Sequence, residues 1–194
     1  MKHIFFTTGP PGIGKTTILL KAAEALQKKE YKLGGMLTRE VREKGTRVGF
    51  EIVDYETKNH GWLAHVRQPE GPQVGKYRVN LADLESIGAS AIYNAVAKAE
   101  IVVIDEVGPM ELHSTAFKEA VSEALESGKP VIGVIHERAQ DNLIKAIKEN
   151  DDAEIIRVTQ INRGQIHSYL VEKVNQLLKE KNTEHRTEGK VASK

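Results

Sequence analysis

Gly9-Pro10-Pro11-Gly12-Ile13-Gly14-Lys15-Thr16-Thr17 places glycines, a lysine and threonines at the spacing G-x-x-x-x-G-K-[ST], matched by Gly9, Gly14, Lys15 and Thr16. The chemistry that fits is the binding of a phosphate chain. Glycines at 9, 12 and 14 can take backbone angles closed to other residues, so successive N–H groups turn into one concavity that attracts anions. A helix opening near Lys15 adds unpaired N–H groups and the positive end of its dipole. Lys15 then reaches the β- and γ-phosphates, and the Thr16 hydroxyl is a ligand for Mg²⁺. The whole run from Gly9 to Thr17 is the candidate nucleotide-binding segment, although the Thr17 side chain has the plainer option of capping or packing. The bland alternative is a Gly-Pro turn joining strand to helix, which leaves Lys15 without a purpose.

A second chemical cluster follows the apolar run Ile101-Val102-Val103-Ile104, which ends in Asp105-Glu106. An acid at the carboxyl end of a strand beside a phosphate loop is the Walker B arrangement, in which Asp105 holds Mg²⁺ directly or through water. Glu106, next in line, can orient or deprotonate an attacking water, a requirement of hydrolysis rather than of binding. Apolar strands also end in acidic loop residues for no catalytic reason, so the pair draws its meaning from the phosphate loop.

Positioning these groups takes a strand before each and a helix after the first. His3 to Thr8 reads as the strand entering the loop, and Thr16 to about Glu30 as the helix leaving it, with Leu19, Ala22, Ala23 and Leu26 on one face. Leu33 to Thr38 reads as a second strand whose glycines suggest close approach to a neighbouring backbone. Val41 to Arg47 reads as a turn with Lys44-Gly45 at its tip. Gly49 to Tyr55 alternates at period two and Trp62 to Val66 follows the turn Lys58 to Gly61, so about 41–79 is expected to be an antiparallel ribbon at the sheet edge. Pro69 to Gly75 is a loop signal, and Asn80 is placed to cap a helix bearing Leu81, Leu84, Ile87, Ala91 and Ile92.

Beyond Asp105 the pattern alternates: helix Ser114 to Glu126, strand Val131 to Ile135, helix Gln140 to Glu149, strand Glu154 to Val158, helix Gly164 to about Glu180. Repeating β-α units predict an α/β fold, a doubly wound, mainly parallel sheet in a three-layer sandwich. Fully apolar strands suit cover by helices on both faces. The expected division is one domain over residues 1–178 and a charged, flexible tail over 179–194, which has one large apolar residue, Val191.

Composition narrows the function classes. A chain of 194 residues with 40% hydrophobic residues can bury one sizeable core. Formal net charge is +1, and removing the tail, with five Lys/Arg and three Asp/Glu, leaves −1, which is no footprint for nucleic acid. The absence of cysteine removes thiolate nucleophiles and Cys-type zinc sites and fits a reducing compartment. Met1-Lys2-His3 runs straight into the first strand, so no secretory signal is expected, nor is a membrane span. A cytoplasmic monomer is the expectation.

Gly9 to Thr17, Thr38-Arg-Glu-Val-Arg42, Arg47-Val-Gly-Phe50, Val74-Gly-Lys-Tyr77, Asp105-Glu-Val-Gly-Pro-Met-Glu-Leu112 and Asn162-Arg163 together resemble the nucleoside-triphosphatase family whose animal members are called cancer-related nucleoside triphosphatases. The resemblance covers about residues 3–178 and leaves the tail unmatched. It implies a P-loop fold of the additional-strand class and Mg²⁺-dependent hydrolysis of the terminal phosphate of ATP, GTP and other nucleoside triphosphates, with weak base selectivity. In the strand order of such folds, Val131 to Ile135 lies between the loop strand and the Asp105 strand, which would bring out His136 or Arg138 as a sensor of the terminal phosphate. An exposed charged turn would look the same.

Phosphoryl transfer also favours an arginine. Arg39, Arg42 and Arg47 are candidates on the rim, each with solvated surface as its alternative. Gly108 offers a backbone N–H or simply a turn before Pro109, and Glu111 offers a brace or an exposed acid. Arg163 could stack on the base, while Asn162 with Gln165 looks more like a helix cap pair. Two rivals remain on sequence alone. A nucleoside or nucleotide kinase would need a second pocket, and a nucleotide-dependent switch would use hydrolysis as a timer.

Overall fold

The computed structural model describes residues 2–191, and side chains through residue 180. The first half holds β1 (Ile4–Thr8), α1 (Lys15–Gln27), β2 (Leu33–Glu43), β3 (Thr46–Asp54), β4 (His60–His65), β5 (Gln73–Val74), β6 (Tyr77–Val79), α2 (Leu81–Asp83) and α3 (Ser90–Lys98), the last two joined by a π-helix, Leu84–Ala89. The second half holds β7 (Ile101–Val107), a 3-10 turn Glu111–His113, α4 (Thr115–Glu126), β8 (Val131–Ile135), α5 (Asn142–Glu149), β9 (Ala153–Arg157) and α6 (Ile166–Val191).

One sheet runs in the order β5-β6-β4-β3-β2-β7-β8-β1-β9. β2, β7, β8, β1 and β9 are parallel, and β3, β4, β6 and β5 extend them as an antiparallel ribbon. The expected placement of β8 between β1 and β7 is what the register shows, with Ile4 opposite Val131 and Val102 opposite Val131. This α/β sheet is covered on both faces. Because successive strand residues point to opposite faces, Ile4, Phe6, Val102 and Ile104 pack with α3, α4 and α5 residues such as Ile92, Phe117 and Ile144. Phe5, Ile101 and Val103 pack on the other face with Leu19 of α1 and Leu170 of α6. Each such side chain buried from water contributes about 1.5–3 kcal/mol.

Helix starts follow their caps. Asn80 accepts from the Asp83 N–H, Ser114 from Phe117 and Asp141 from Leu143. The close approach expected of Gly34-Gly35 is real: a Cβ on Gly35, whose φ is +127°, would sit 2.0 Å from the Val103 carbonyl oxygen, and one on Gly34 2.9 Å from the Ala95 Cβ.

The ribbon departs from the sequence reading in detail. β2 does not stop at Thr38 but runs to Glu43, and the turn shrinks to Lys44-Gly45, both at positive φ, as a two-residue hairpin requires. Residues 41–43 read as turn because their partners lie across the strand pair, Val41 opposite Gly49 and Arg42 opposite Arg47. Within the stretch read as loop, Gln73–Val74 pairs with Tyr77–Val79 as a very short hairpin. The backbone of α6 stays helical to Val191, past the expected end near Glu180. The side chains of residues 181–191, and residues 192–194 entirely, lie outside the described residues, so most of the predicted tail does too. Among the described residues no helix is long and apolar enough to cross a membrane.

Candidate active site

The phosphate loop leaves the carboxyl end of β1 and enters α1 at Gly14. Gly9, Gly12 and Gly14 have φ of 149°, 76° and 108°, so all three occupy backbone conformations that L side chains rarely adopt. Gly9 is also pressed against the β9 side, where an added Cβ would meet the Val158 carbonyl oxygen at 2.9 Å. Pro10 and Pro11 are exposed at the crown, and Ile13 closes a turn by donating its N–H to the Pro10 carbonyl at 3.3 Å. No side chain caps α1, so its first-turn N–H groups have no intrahelical acceptor and face the loop's concavity. Lys15 folds back over the loop, its Nζ donating to the carbonyls of Gly9 at 2.9 Å and Pro10 at 3.2 Å.

The loop meets the acidic pair. Thr16 Oγ1 donates to Asp105 Oδ1 at 3.3 Å, a contact between residues 89 apart in sequence. Asp105 is 1% exposed, and its Oδ2 is buried with no hydrogen-bond partner. Burial pushes the Asp105 carboxyl up to about 7, the Thr16 hydrogen bond and Lys15 pull it down, and the Glu106 charge pushes it up. The β7–β8 pairing shifts register between Ile104 and Val107, which frees Asp105 and Glu106 from the regular ladder.

Glu106 is half-buried and Gly108 is buried beside it. A Cβ on Gly108 would lie 2.8 Å from Glu106 Oε1 and 3.2 Å from Glu111 Oε2, so the two carboxylates flank this one glycine. Glu111 is 4% exposed. Burial, then the charge of Glu106, pushes its carboxyl up to about 8, against backbone N–H groups of Glu111 and Gly108 that pull it down. The sequence alternative of an exposed loop acid is therefore not what the fold provides at Glu111.

The rim arginines are engaged among themselves. Arg39 pairs with Glu51, Arg42 with Glu40 at 2.5 Å, and Arg47 with Glu40 at 2.6 Å while lying over the Phe50 ring. They belong to the β2–β3 hairpin, which continues beyond Met36, the last β2 residue paired with β7. His136 follows β8, its N–H donating to the Val107 carbonyl at 3.0 Å, and its Nδ1 accepts from the Arg138 N–H at 3.3 Å. Among the described residues, Arg138 and Arg163 are the arginines whose guanidinium has no protein partner.

Arg163 reaches the loop from the opposite side to Asp105. A cavity of about 320 Å³ has Ile13, Thr17 and Lys21 on one wall and Arg163, Gly164 and His167 on the other. Sequence reasoning missed Lys21 and His167; the available signal was that Lys21 lies one helical turn beyond Thr17 and so shares its face. Asn162 is not a helix cap. Its Oδ1 accepts from Thr159 N–H at 2.8 Å and its Nδ2 donates to the Arg157 carbonyl at 2.9 Å, so it ties down the loop that presents Arg163.

Known proteins share this frame. A family model described as NTPase matches residues 4–171. The nucleoside-triphosphatase THEP1 of Thermofilum pendens is 47% identical over 90% of this chain and 96% of its own, and that of Methanopyrus kandleri 41% over 93% and 100%. Among solved structures, THEP1 from Aquifex aeolicus superposes with a TM-score of 0.78 at 30% identity, covering 90% of this chain and 99% of that one. The human cancer-related nucleoside triphosphatase gives 0.77 at 33%, covering 91% and 98%. With the matched segment running from the first strand into the last helix, the chain belongs to the NTPase family.

Proposed function

We propose that the protein is a Mg²⁺-dependent nucleoside triphosphatase that hydrolyses the terminal phosphate of ATP, GTP and other nucleoside triphosphates slowly and with broad base tolerance. Family membership makes it a nucleoside-triphosphate phosphohydrolase. The observation that carries the finer reading is the 3.3 Å contact between Thr16 and Asp105, which brings the phosphate loop and the acidic pair to one point.

In this reading the loop N–H groups and Lys15 bind the phosphate chain, with Lys15 exchanging two carbonyl partners for β- and γ-phosphate oxygens. Thr16 and Asp105 would hold Mg²⁺. The fit is chemical: both supply hard oxygen donors, and Asp105 has a buried oxygen with no other partner. Among the described residues no three His, Cys, Asp or Glu side chains form a metal site of their own, so phosphate oxygens and water would complete the ion's shell. Bound there, the ion would neutralise charge on the β- and γ-phosphates. Glu106 takes the proton of the attacking water as the oxygen bonds to the γ-phosphorus and the nucleoside diphosphate leaves. Glu111 braces Glu106 across Gly108. Arg138, unpaired beside His136 on the loop between β8 and α5, is the better-placed cation for the terminal phosphate, since Arg39, Arg42 and Arg47 would first have to leave their glutamates. Arg163 contacts the base.

Turnover is about 1 s⁻¹ or less by analogy with unassisted switch-type enzymes. The reading takes the protein as cytoplasmic, which its cysteine-free composition fits, and as a monomer, the default for a single domain. Phosphate release from the four common nucleoside triphosphates, with and without Mg²⁺, tests the proposal. Mg²⁺-dependent release that Lys15→Ala abolishes is expected. Phosphorylated nucleoside in place of free phosphate would instead establish a kinase.

A further inference from the structure

The pocket at Arg163 is contiguous with the phosphate loop, because Thr17 and Ile13 belong to both. A nucleotide whose phosphates fill the loop therefore has this cavity at hand for its base, and about 320 Å³ is within the range of small-molecule pockets. This step rests on the triphosphatase reading above.

What distinguishes the pocket is the hydrogen-bonding character of its polar side chains. Lys21 and Arg163 are donors only, with no acceptor atom between them. Neither has a protein partner among the described residues. His167 has one ring nitrogen 3.2 Å from Ser168 Oγ, and Thr17 is a hydroxyl that serves either way. No Asp, Glu, Asn or Gln side chain lines the cavity, so no carboxylate or side-chain amide oxygen is there to receive an amino group.

Bases differ in what they show to such a wall. Hypoxanthine, xanthine and guanine present a 6-oxo oxygen beside the N7 acceptor, and uracil presents a 4-oxo oxygen. Adenine and cytosine present an amino donor at the corresponding position, and an arginine or lysine meets O6 and N7 together but not an amino group. We infer that the pocket grades nucleoside triphosphates by the oxo group of the base, preferring inosine, xanthosine, guanosine and uridine triphosphates over those of adenosine and cytidine. With no acid to receive the guanine 2-amino group, guanosine and inosine triphosphates rank together. Lys21 and Arg163 are both exposed, so water competes for their donors and the preference is several-fold rather than absolute.

The test is the ratio of kcat/KM for ITP to that for ATP, measured as phosphate release by the full chain, with UTP against CTP as a second matched pair. Each pair differs at the oxo or amino position and its ring nitrogen, so a ratio within one protein cancels its folded fraction and its attraction for the triphosphate. A ratio of about five to ten is expected, falling below two in Lys21→Met and in Arg163→Met. Equal kcat/KM for ITP and ATP in the unmodified protein would overturn the inference while leaving the triphosphatase reading intact. So would a ratio that survives both substitutions. Hydrolysis of neither nucleotide would overturn the two together.

Discussion

Replacing Glu111 with glutamine should make the nucleotide-free and metal-free protein less sensitive to rising pH. The Glu111 carboxyl is almost wholly buried and raised to about 8, against an ordinary value of 4.5. The folded chain thus keeps a proton that the unfolded chain releases above 4.5. Its effect is a loss of stability that begins near pH 4.5 and continues until pH reaches the folded value. Each unit of separation corresponds to about 1.4 kcal/mol, so between pH 5 and pH 7 this one group should remove about 2–3 kcal/mol. Glutamine has nearly the same shape, keeps an acceptor for the N–H groups of Glu111 and Gly108, and does not titrate. Urea unfolding of both proteins at pH 5, 6 and 7 measures the difference directly, because Asp105 and the other titrating groups are common to both. The gap between the two curves should close as pH falls. Parallel curves across this range would refute the account of Glu111 as a protonated acid held beside Glu106.

Glu106→Gln should reduce steady-state phosphate release by at least about 100-fold while nucleotide binding changes little, as loss of a general base predicts; unchanged release in a phosphate assay removes Glu106 from that role. Gly35→Ala should lower stability by about 3 kcal/mol or more, because its Cβ would lie 2.0 Å from the Val103 carbonyl oxygen at a φ of +127°. A denaturant midpoint equivalent to less than about 1 kcal/mol of loss would mean that β2 shifts freely. Asn162→Ala removes two hydrogen bonds from the loop bearing Arg163, and should raise KM by about three- to tenfold with kcat nearly unchanged. A fall in kcat with KM constant would detach that loop from substrate binding.

The phosphate loop, the five parallel strands and the cap at Asn80 were legible because each rests on local signals: glycine spacing, apolar runs, a side-chain oxygen before a helix. What was not legible depends on partners distant in sequence. Arg39 and Arg47 looked like free rim cations, since nothing local says that Glu51 and Glu40 will sit beside them once the hairpin pairs. Residues 41–43 looked like turn for the same reason. Glu111 carries the charge of a surface acid, and only the return of the chain through Gly108 against Glu106 buries it. Lys21 lies off the apolar face of Leu19, Ala22, Ala23 and Leu26, and only α6 arriving alongside makes it a wall of a cavity.

The order of strands also governs how copies of this protein meet one another. A sheet nine strands wide has two rims, and an unpaired rim is a template on which another chain can polymerise. One rim here is β5, just two residues long, too short to guide a stranger into register. The other is β9, where Glu154 is held by the Tyr169 hydroxyl at 2.7 Å and Arg157 by Glu137 at 2.7 Å. An incoming strand would meet these fixed polar groups at its landing site, which disfavours fibril growth without any contribution from the nucleotide site.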